Sequence, residues 1–301
     1  MLGPAFGYDF AEALDVVEGV AEVVAPPMEQ VVAALQGNEV LVAFQWRDEW
    51  VVPGLRWIQA ATAGTDQFPL DALHDADVVL TSAVGIHEVQ VSEHAFGLLL
   101  GLTRGIGTSA RNQGSRVWRW PPVIDLAGMT LGVLGLGVIG EGVARRAKAF
   151  GMEVVGTKRF PDGYSGAADE VFGPGGTLEV FRRSGAVVVT LPDSPETVGL
   201  VGAFELEALA GGFFVNVGRG SVVDQDALVE ALASGTLRGA GLDVFWKEPL
   251  PDDSPLWDMS GVIITPHLAG TSPAYGDRLA ILFERNLSAY LGECEWINRV
   301  V

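Results

Sequence analysis

Leu131-Gly132-Val133-Leu134-Gly135-Leu136-Gly137-Val138-Ile139-Gly140 is the stretch whose reading decides the fold. An apolar run leads into Gly135, Gly137 and Gly140, a G-x-G-x-x-G, and a helical pattern leads out of it. Gly135 allows a tight turn, Gly137 lets the backbone approach a pyrophosphate, and Gly140 lets helix and strand pack closely. Val138 and Ile139 then open a helix whose free N–H groups face the phosphates. In a chain with 39 glycines among 301 residues, the bare motif is weak. Inside a strand-loop-helix-strand unit of about 30 residues it points to dinucleotide binding.

That unit is present. Val138 to Phe150 places Ile139, Val143, Ala147 and Phe150 on one helical face, Gly151 ends the helix, and Met152–Gly156 reads as the next strand. Thr157-Lys158-Arg159 follows, 17 to 19 residues after Gly140. An acid there would accept hydrogen bonds from a ribose 2′-OH and repel a 2′-phosphate, whereas Lys158 and Arg159 do the reverse. A solvated basic pair on a turn is the bland alternative. Lysine is scarce, with only Lys148, Lys158 and Lys247 among 19 basic residues, and this favours the functional reading. The expectation is NADP(H) in preference, with NAD(H) possible.

Outward from the glycine loop, further strands are expected at Ala186–Leu191, Gly212–Val217, Gly239–Phe245 and Val262–Thr265. Helical patterns at Thr177–Arg183, Ala203–Leu209 and Asp224–Ser234 separate them. Repeated βα units imply a doubly wound parallel sheet. Upstream, Val20–Val24, Val40–Phe44, Trp57–Ala61 and Val78–Ser82 read as strands of a smaller α/β unit, with a helix over Met28–Leu35. Val91 to Gly107 is helical with Ser92 as its N-cap, residues 114 to 128 read as an extended connection, and Tyr275–Leu291 is an amphipathic helix. The fold expected is α/β: a Rossmann domain inserted into a smaller flavodoxin-like domain. Residues 1–92 with 272–301 would form the discontinuous substrate-binding domain, and 93–271 the dinucleotide-binding domain.

Composition excludes several classes. A formal charge of −19 argues against general nucleic-acid binding, which demands a basic face. Such an acidic, lysine-poor surface fits a salt-rich cytoplasm or a GC-rich genome equally well. No apolar run approaches the roughly 18 to 20 residues of a membrane helix. Asp9, Glu12 and Asp15 come early, without a basic n-region, so no secretory signal is expected. Cys294 is the single cysteine, and zinc-like Cys/His spacings are absent, so no metal is expected. The reading is a soluble cytoplasmic protein.

Three polar residues stand at strand exits. Arg219 lies in Asn216-Val217-Gly218-Arg219-Gly220, Glu248 follows Leu242–Phe245, and His267 follows Ile263-Ile264-Thr265-Pro266. In an open α/β sheet, residues beyond the carboxyl ends of strands face the ligand crevice. Each alone could be a cap or turn residue; together they suit hydride transfer on a 2-keto or 2-hydroxy acid. Arg219 can bind the substrate carboxylate and C2 oxygen. His267 can exchange the hydroxyl proton, and Glu248 can orient its ring and stabilise its charged form.

At this point the chain closely resembles the D-isomer-specific 2-hydroxyacid dehydrogenase family. The likeness rests on the glycine loop, on Asn216-Val217-Gly218-Arg219-Gly220, on Gly241-Leu242-Asp243-Val244-Phe245 with Glu248-Pro249, and on Thr265-Pro266-His267. The resemblance implies Arg219 for substrate binding, His267 as acid/base and Glu248 as its partner. It also implies that Asp243 contacts the nicotinamide carboxamide and that Leu191, Pro192 and Val217 line the cofactor cleft. Ala61-Thr62-Ala63-Gly64-Thr65-Asp66 looks like the loop whose N–H groups hold the substrate carboxylate, giving Ala63 and Gly64 that role. Gly85-Ile86-His87 has His where the family often has Asn, and His87 ranks below His267 because it lacks a paired acid.

The resemblance further implies D-specificity and a homodimer, for which Phe96 to Pro122, with Trp118 and Trp120, is the interface expected. The partner implied is a small 2-keto or 2-hydroxy acid, with neither nucleic acid nor membrane. Within the family, Glu248 stands where formate enzymes tend to carry Gln, and phosphoglycerate enzymes usually add a C-terminal domain beyond a length such as this. The alternative class is a nucleotide-sensing binding protein of the same fold without turnover.

Overall fold

The computed structural model describes residues 28–301 except Val51 and Asp66, so the strand expected at Val20–Val24 lies outside the described residues. The chain divides into two compact units, one running as far as His87 and resuming over Thr271–Val301, the other Glu88–Gly270.

In the first unit, β1 (Val40–Ala43), β2 (Trp57–Ala60) and β3 (Val79–Thr81) form a parallel sheet in that order. Helix α1 (Val31–Leu35) precedes β1, and α2 (Leu70–Asp75) lies between β2 and β3. Trp57 is fully buried and stacks on Phe283 of the C-terminal helix, with ring centroids 4.9 Å apart. The chain's last residues return to this sheet, where Val300 donates its N–H to Leu80 O.

The second unit begins with α3 (Glu88–Thr103) and α4 (Ile106–Gly114). Helix α3 starts four residues before the expected cap, so Ser92 is interior and its hydroxyl donates to the carbonyls of Glu88 and Val89. The domain boundary expected at 92/93 therefore falls inside one helix. Gly105, at φ +66°, turns the chain from α3 into α4. Helix α4 is short and polar and buries none of its residues. Past it, residues 117–126 run without regular structure, as expected of an extended connection.

Then follow β4 (Thr130–Leu134), α5 (Val138–Ala149), β5 (Glu153–Thr157), β6 (Glu170–Phe172), α6 (Thr177–Arg183) and β7 (Ala186–Val189). Next come α7 (Ala203–Ala208), β8 (Phe213–Asn216), α8 (Gln225–Ala233), β9 (Gly239–Leu242) and β10 (Val262–Ile264). After the second unit, α9 (Tyr275–Tyr290) belongs to the first. Asp224 caps α8, its carboxylate accepting from the N–H groups of Asp226 and Ala227 at 3.1 Å. Phe150 proves to be the C-cap of α5 rather than part of its buried face; it is exposed and stacks on Phe96.

All strands of this unit are parallel, in the order β10-β9-β8-β7-β4-β5-β6. Strands such as Ala186–Val189 are buried throughout, as parallel sheets covered on both faces require. Phe181 and Phe214, both fully buried and stacked, anchor one face; each contributes roughly 1.5–3 kcal/mol by leaving water. The register aligns Thr157, Leu134, Val189, Asn216, Leu242 and Ile264 as one row. The residues after that row all emerge at the same sheet edge. The chain order reverses between β4 and β7, which is where such sheets bind ligands.

Candidate active site

The glycine loop leaves that edge after β4. Gly135 has φ +96°, a conformation open to glycine at little cost. Its N–H donates to Thr157 Oγ1 at 3.2 Å, and its carbonyl accepts from Thr190 Oγ1 at 2.8 Å. A Cβ on Gly140 would overlap the Gly135 carbonyl oxygen, so the fold itself requires that glycine. Gly137 differs: its φ of −91° suits any residue, and a Cβ there would meet nothing within 4 Å. The protein has no internal need for glycine at 137, whereas close approach of a pyrophosphate supplies one. The loop therefore fits a dinucleotide.

Lys158 follows β5 and is half-buried, its Nζ donating to Leu136 O of the glycine loop at 2.5 Å. Arg159 is exposed, 3.7 Å from the exposed Glu196 carboxylate, a pairing that contributes little. The segment after them is tied to α5. Glu141 accepts from Ala167 N at 3.1 Å, and the Tyr164 hydroxyl accepts from Ala168 N at 2.9 Å. Burial, and then the Glu141 carboxylate, push the Tyr164 hydroxyl up to about 12. Leu191, half-buried, and Pro192, exposed, follow β7. The side chain of Leu191 lies where a Cβ on Gly135 would point.

After β8, Val217 is buried and the turn bearing Arg219 is braced by Asn216. The Asn216 amide donates to Arg219 O and accepts from Gly218 N, both at 3.0 Å. Gly218 lies against the Leu191 backbone and Gly220 against the Phe245 backbone, so neither tolerates a Cβ. The Arg219 guanidinium donates to Gly218 O at 2.8 Å.

After β9 and β10, two side chains meet. His267 Nδ1 lies 2.7 Å from Glu248 Oε2, and Glu248 Oε1 accepts from Phe245 N at 2.9 Å. A carboxylate only accepts, so Nδ1 carries the hydrogen and Nε2 is the ring nitrogen left able to exchange a proton. His267 has φ +50°, an unusual conformation for a non-glycine residue that costs about 1 kcal/mol or more and is held by surrounding contacts. Asp243 supplies them. Its carbonyl accepts from His267 N at 2.9 Å. Its carboxylate accepts from Thr265 Oγ1 at 2.6 Å and from Leu268 N and Ala269 N at 3.0 Å. Oδ2 takes only Ala269 N among these, so it keeps an unused acceptor position.

Burial, to 1% exposure, would push the Asp243 carboxyl up. The neighbouring His94 imidazole and the hydrogen bonds from Thr265, Ala269 and Leu268 outweigh it and hold the group below the ordinary carboxylate range. A folded pKa below the unfolded one stabilises the protein above the unfolded value of about 3.9, and that stability is lost as pH falls through the folded value. Asp243→Asn should therefore lower Tm at neutral pH and flatten the acid limb of a Tm-against-pH curve. Parallel acid limbs in the two proteins would refute this.

Glu248 and His267, expected at one edge, meet there, whereas Thr190, Asn216 and His94, to which the sequence assigns no role, brace the surrounding turns. Ala63 and Gly64 lie in the turn after β2 of the first unit, where Gly64 O accepts from Thr62 Oγ1 at 2.6 Å. There His87 rests against the Tyr275 ring, with centroids 5.5 Å apart. No cluster of metal-ligating side chains occurs among the described residues, and no helix there is long and apolar enough to cross a membrane.

A doubly wound sheet with a glycine loop at its switch point and a His–Glu pair on the same edge defines a nucleotide-dependent oxidoreductase. The family model for "D-isomer specific 2-hydroxyacid dehydrogenase, NAD binding domain" matches residues 96–269. Glyoxylate/hydroxypyruvate reductase B of Pectobacterium carotovorum is 34% identical over 251 residues, covering 80% of this chain and 78% of its own. Glyoxylate reductase of Korarchaeum cryptofilum is 32% identical over 251 residues, covering 79% and 74%. A D-isomer specific 2-hydroxyacid dehydrogenase from Xanthobacter autotrophicus Py2, solved in complex with NADPH and MES, superposes with a TM-score of 0.80. It is 30% identical and covers 100% of this chain and 97% of its own. The chain belongs to the D-isomer specific 2-hydroxyacid dehydrogenase family.

Proposed function

We propose that the protein is an NADP(H)-dependent D-2-hydroxyacid dehydrogenase that works as a reductase of small 2-keto acids. The observation that carries the reading is the His267–Glu248 pair on the edge that bears the glycine loop. Arg219 binds the substrate carboxylate and C2 oxygen as a cationic fork. Glu248 holds the His267 ring by Nδ1, so Nε2 delivers a proton to the C2 oxygen. A bound nicotinamide cofactor supplies the hydride that reduces C2. In the oxidative direction Nε2 takes the hydroxyl proton back. The first unit, discontinuous in sequence, is read as the substrate-binding domain, with backbone N–H groups of Ala63 and Gly64 directed to the carboxylate.

Gly135, Gly137, Val138, Ile139 and Gly140 would hold the pyrophosphate, Asp243 the carboxamide, and Leu191, Pro192 and Val217 the cleft wall. NADP(H) preference rests on Lys158, with Thr157 and Arg159 beside it, and is supported by the NADPH complex of the Xanthobacter relative. The relatives named for glyoxylate and hydroxypyruvate reduction support the reductive direction and a short substrate. D-specificity rests on family membership. Trp118 and Trp120, 96% and 88% exposed, would be covered in a cytoplasmic homodimer, which the solution mass would reveal.

The test is a spectrophotometric panel with NADPH and NADH against glyoxylate, hydroxypyruvate, pyruvate and branched or aromatic keto acids, at stated salt. Turnover is expected with kcat/KM higher for NADPH, and Lys158→Ala should erase most of that preference. Equal or better kcat/KM with NADH would sink the cofactor assignment. NADPH binding without reduction of any keto acid would favour a nucleotide sensor of the same fold.

A further inference from the structure

His94 is a partly buried histidine that the proposed mechanism does not use. It lies in α3, with its side chain 18% exposed, and its Nε2 is 2.8 Å from Thr265 Oγ1 and 3.4 Å from Asp243 Oδ1. Thr265 has one hydroxyl hydrogen, and the ionised Asp243 takes it at 2.6 Å because a carboxylate can only accept. Nε2 of His94 must therefore donate to Thr265 Oγ1. This fixes the histidine with a hydrogen on Nε2 and gives the hydroxyl one orientation.

The same carboxylate accepts from Leu268 N and Ala269 N, and the carbonyl of Asp243 accepts from His267 N. One chain of hydrogen bonds thus runs from α3, through the Thr265 hydroxyl, to the residue that holds the backbone of His267 at φ +50°. We propose that His94 is a positioning residue for His267: its Nε2–H locks the Thr265–Asp243 pair that keeps the His267 backbone in its left-handed conformation. The proposal rests on His267 being the acid/base group. Without the His94 donor, Thr265 Oγ1 keeps an unpaired acceptor site beside a buried carboxylate, and the hydroxyl is free to turn away from it. An acid/base atom displaced by about 1 Å forfeits on the order of 100-fold in rate.

The variants are His94→Leu, which fills similar space without a donor, and His94→Gln, which keeps an N–H. His94→Leu should lower kcat/KM for keto acid reduction on the order of 10- to 100-fold. Its NADPH affinity should stay within about twofold, well under 1 kcal/mol, and His94→Gln should restore most of the rate. Imidazole NMR signals of His267, assigned with His267→Ala, should move in His94→Leu without substrate present. Thr265→Val, which removes the hydroxyl at nearly constant volume, should reproduce both effects if His94→Leu fails to fold. Equal losses in the Leu and Gln variants, or His267 signals that stay in place, would overturn the proposal. If the unaltered protein reduces no keto acid, the functional reading fails separately, and the NMR arm still decides whether His94 positions His267.

Discussion

His267→Ala is expected to lower kcat by roughly 10²- to 10⁴-fold, the span of general acid–base catalysis, while NADPH binds nearly as before. The ring is half exposed, and its one side-chain hydrogen bond goes to Glu248. Removing it opens no core cavity, so stability should change little. Its loss takes away the proton donor for the C2 oxygen and releases Glu248, which stays anchored through Phe245 N. Glu248→Gln is expected to cost less, since an amide oxygen can still accept from Nδ1–H. It would lose the charge that stabilises the imidazolium once Nε2 is protonated. Single-turnover rates with premixed NADPH separate this chemical step from binding. Turnover surviving in His267→Ala would mean that the proton comes from elsewhere.

The second large effect is a contrast within the glycine loop. Gly137→Ala should fold with the Tm of the parent, because its Cβ meets nothing within 4 Å and its φ of −91° is ordinary. It should nonetheless lose at least about tenfold in NADPH affinity, or about 1.4 kcal/mol, since the methyl would stand where the pyrophosphate approaches. Gly140→Ala should fail differently. Its Cβ would overlap the Gly135 carbonyl oxygen, and that oxygen is already held by Thr190. Overpacking against fixed backbone costs about 1–3 kcal/mol or more, so both Tm and affinity should fall. Thermal melts with and without NADPH distinguish the two cases. An unchanged NADPH dissociation constant in Gly137→Ala would remove the dinucleotide from this loop.

Much of this is legible in the sequence, and for identifiable reasons. Buried parallel strands read as unbroken apolar runs, so β4, β7 and β8 were found to within a residue or two. Asp224 announced α8 because a cap is a local interaction. Helix α4 is hard to read in the sequence because it is short and polar and adds no residue to the core. Strand β6, three residues long, carries Glu170 between two turn-rich segments and offers no run to detect. Ser92 looked like a cap because a serine before an apolar pattern usually is one. Glu88, four residues earlier, is the true first residue, and the serine hydroxyl is spent inside the helix.

Local spacing settles which chemistry each strand end can present. Arg219, Glu248, His267 and the glycine loop each sit a few residues past a strand, and parallel strands send such residues to a common edge. The tertiary structure alone decides who holds whom. His94 and Thr265 are 171 positions apart, and Asp243 reaches Thr265 across 22 and Ala269 across 26. No periodicity encodes a hydrogen bond between residues that only helix packing and sheet register bring together. The different standing of Gly137 and Gly140 has the same origin. Both are glycines of one motif, but only the folded backbone shows that one is required by the protein and the other by the pyrophosphate it would bind.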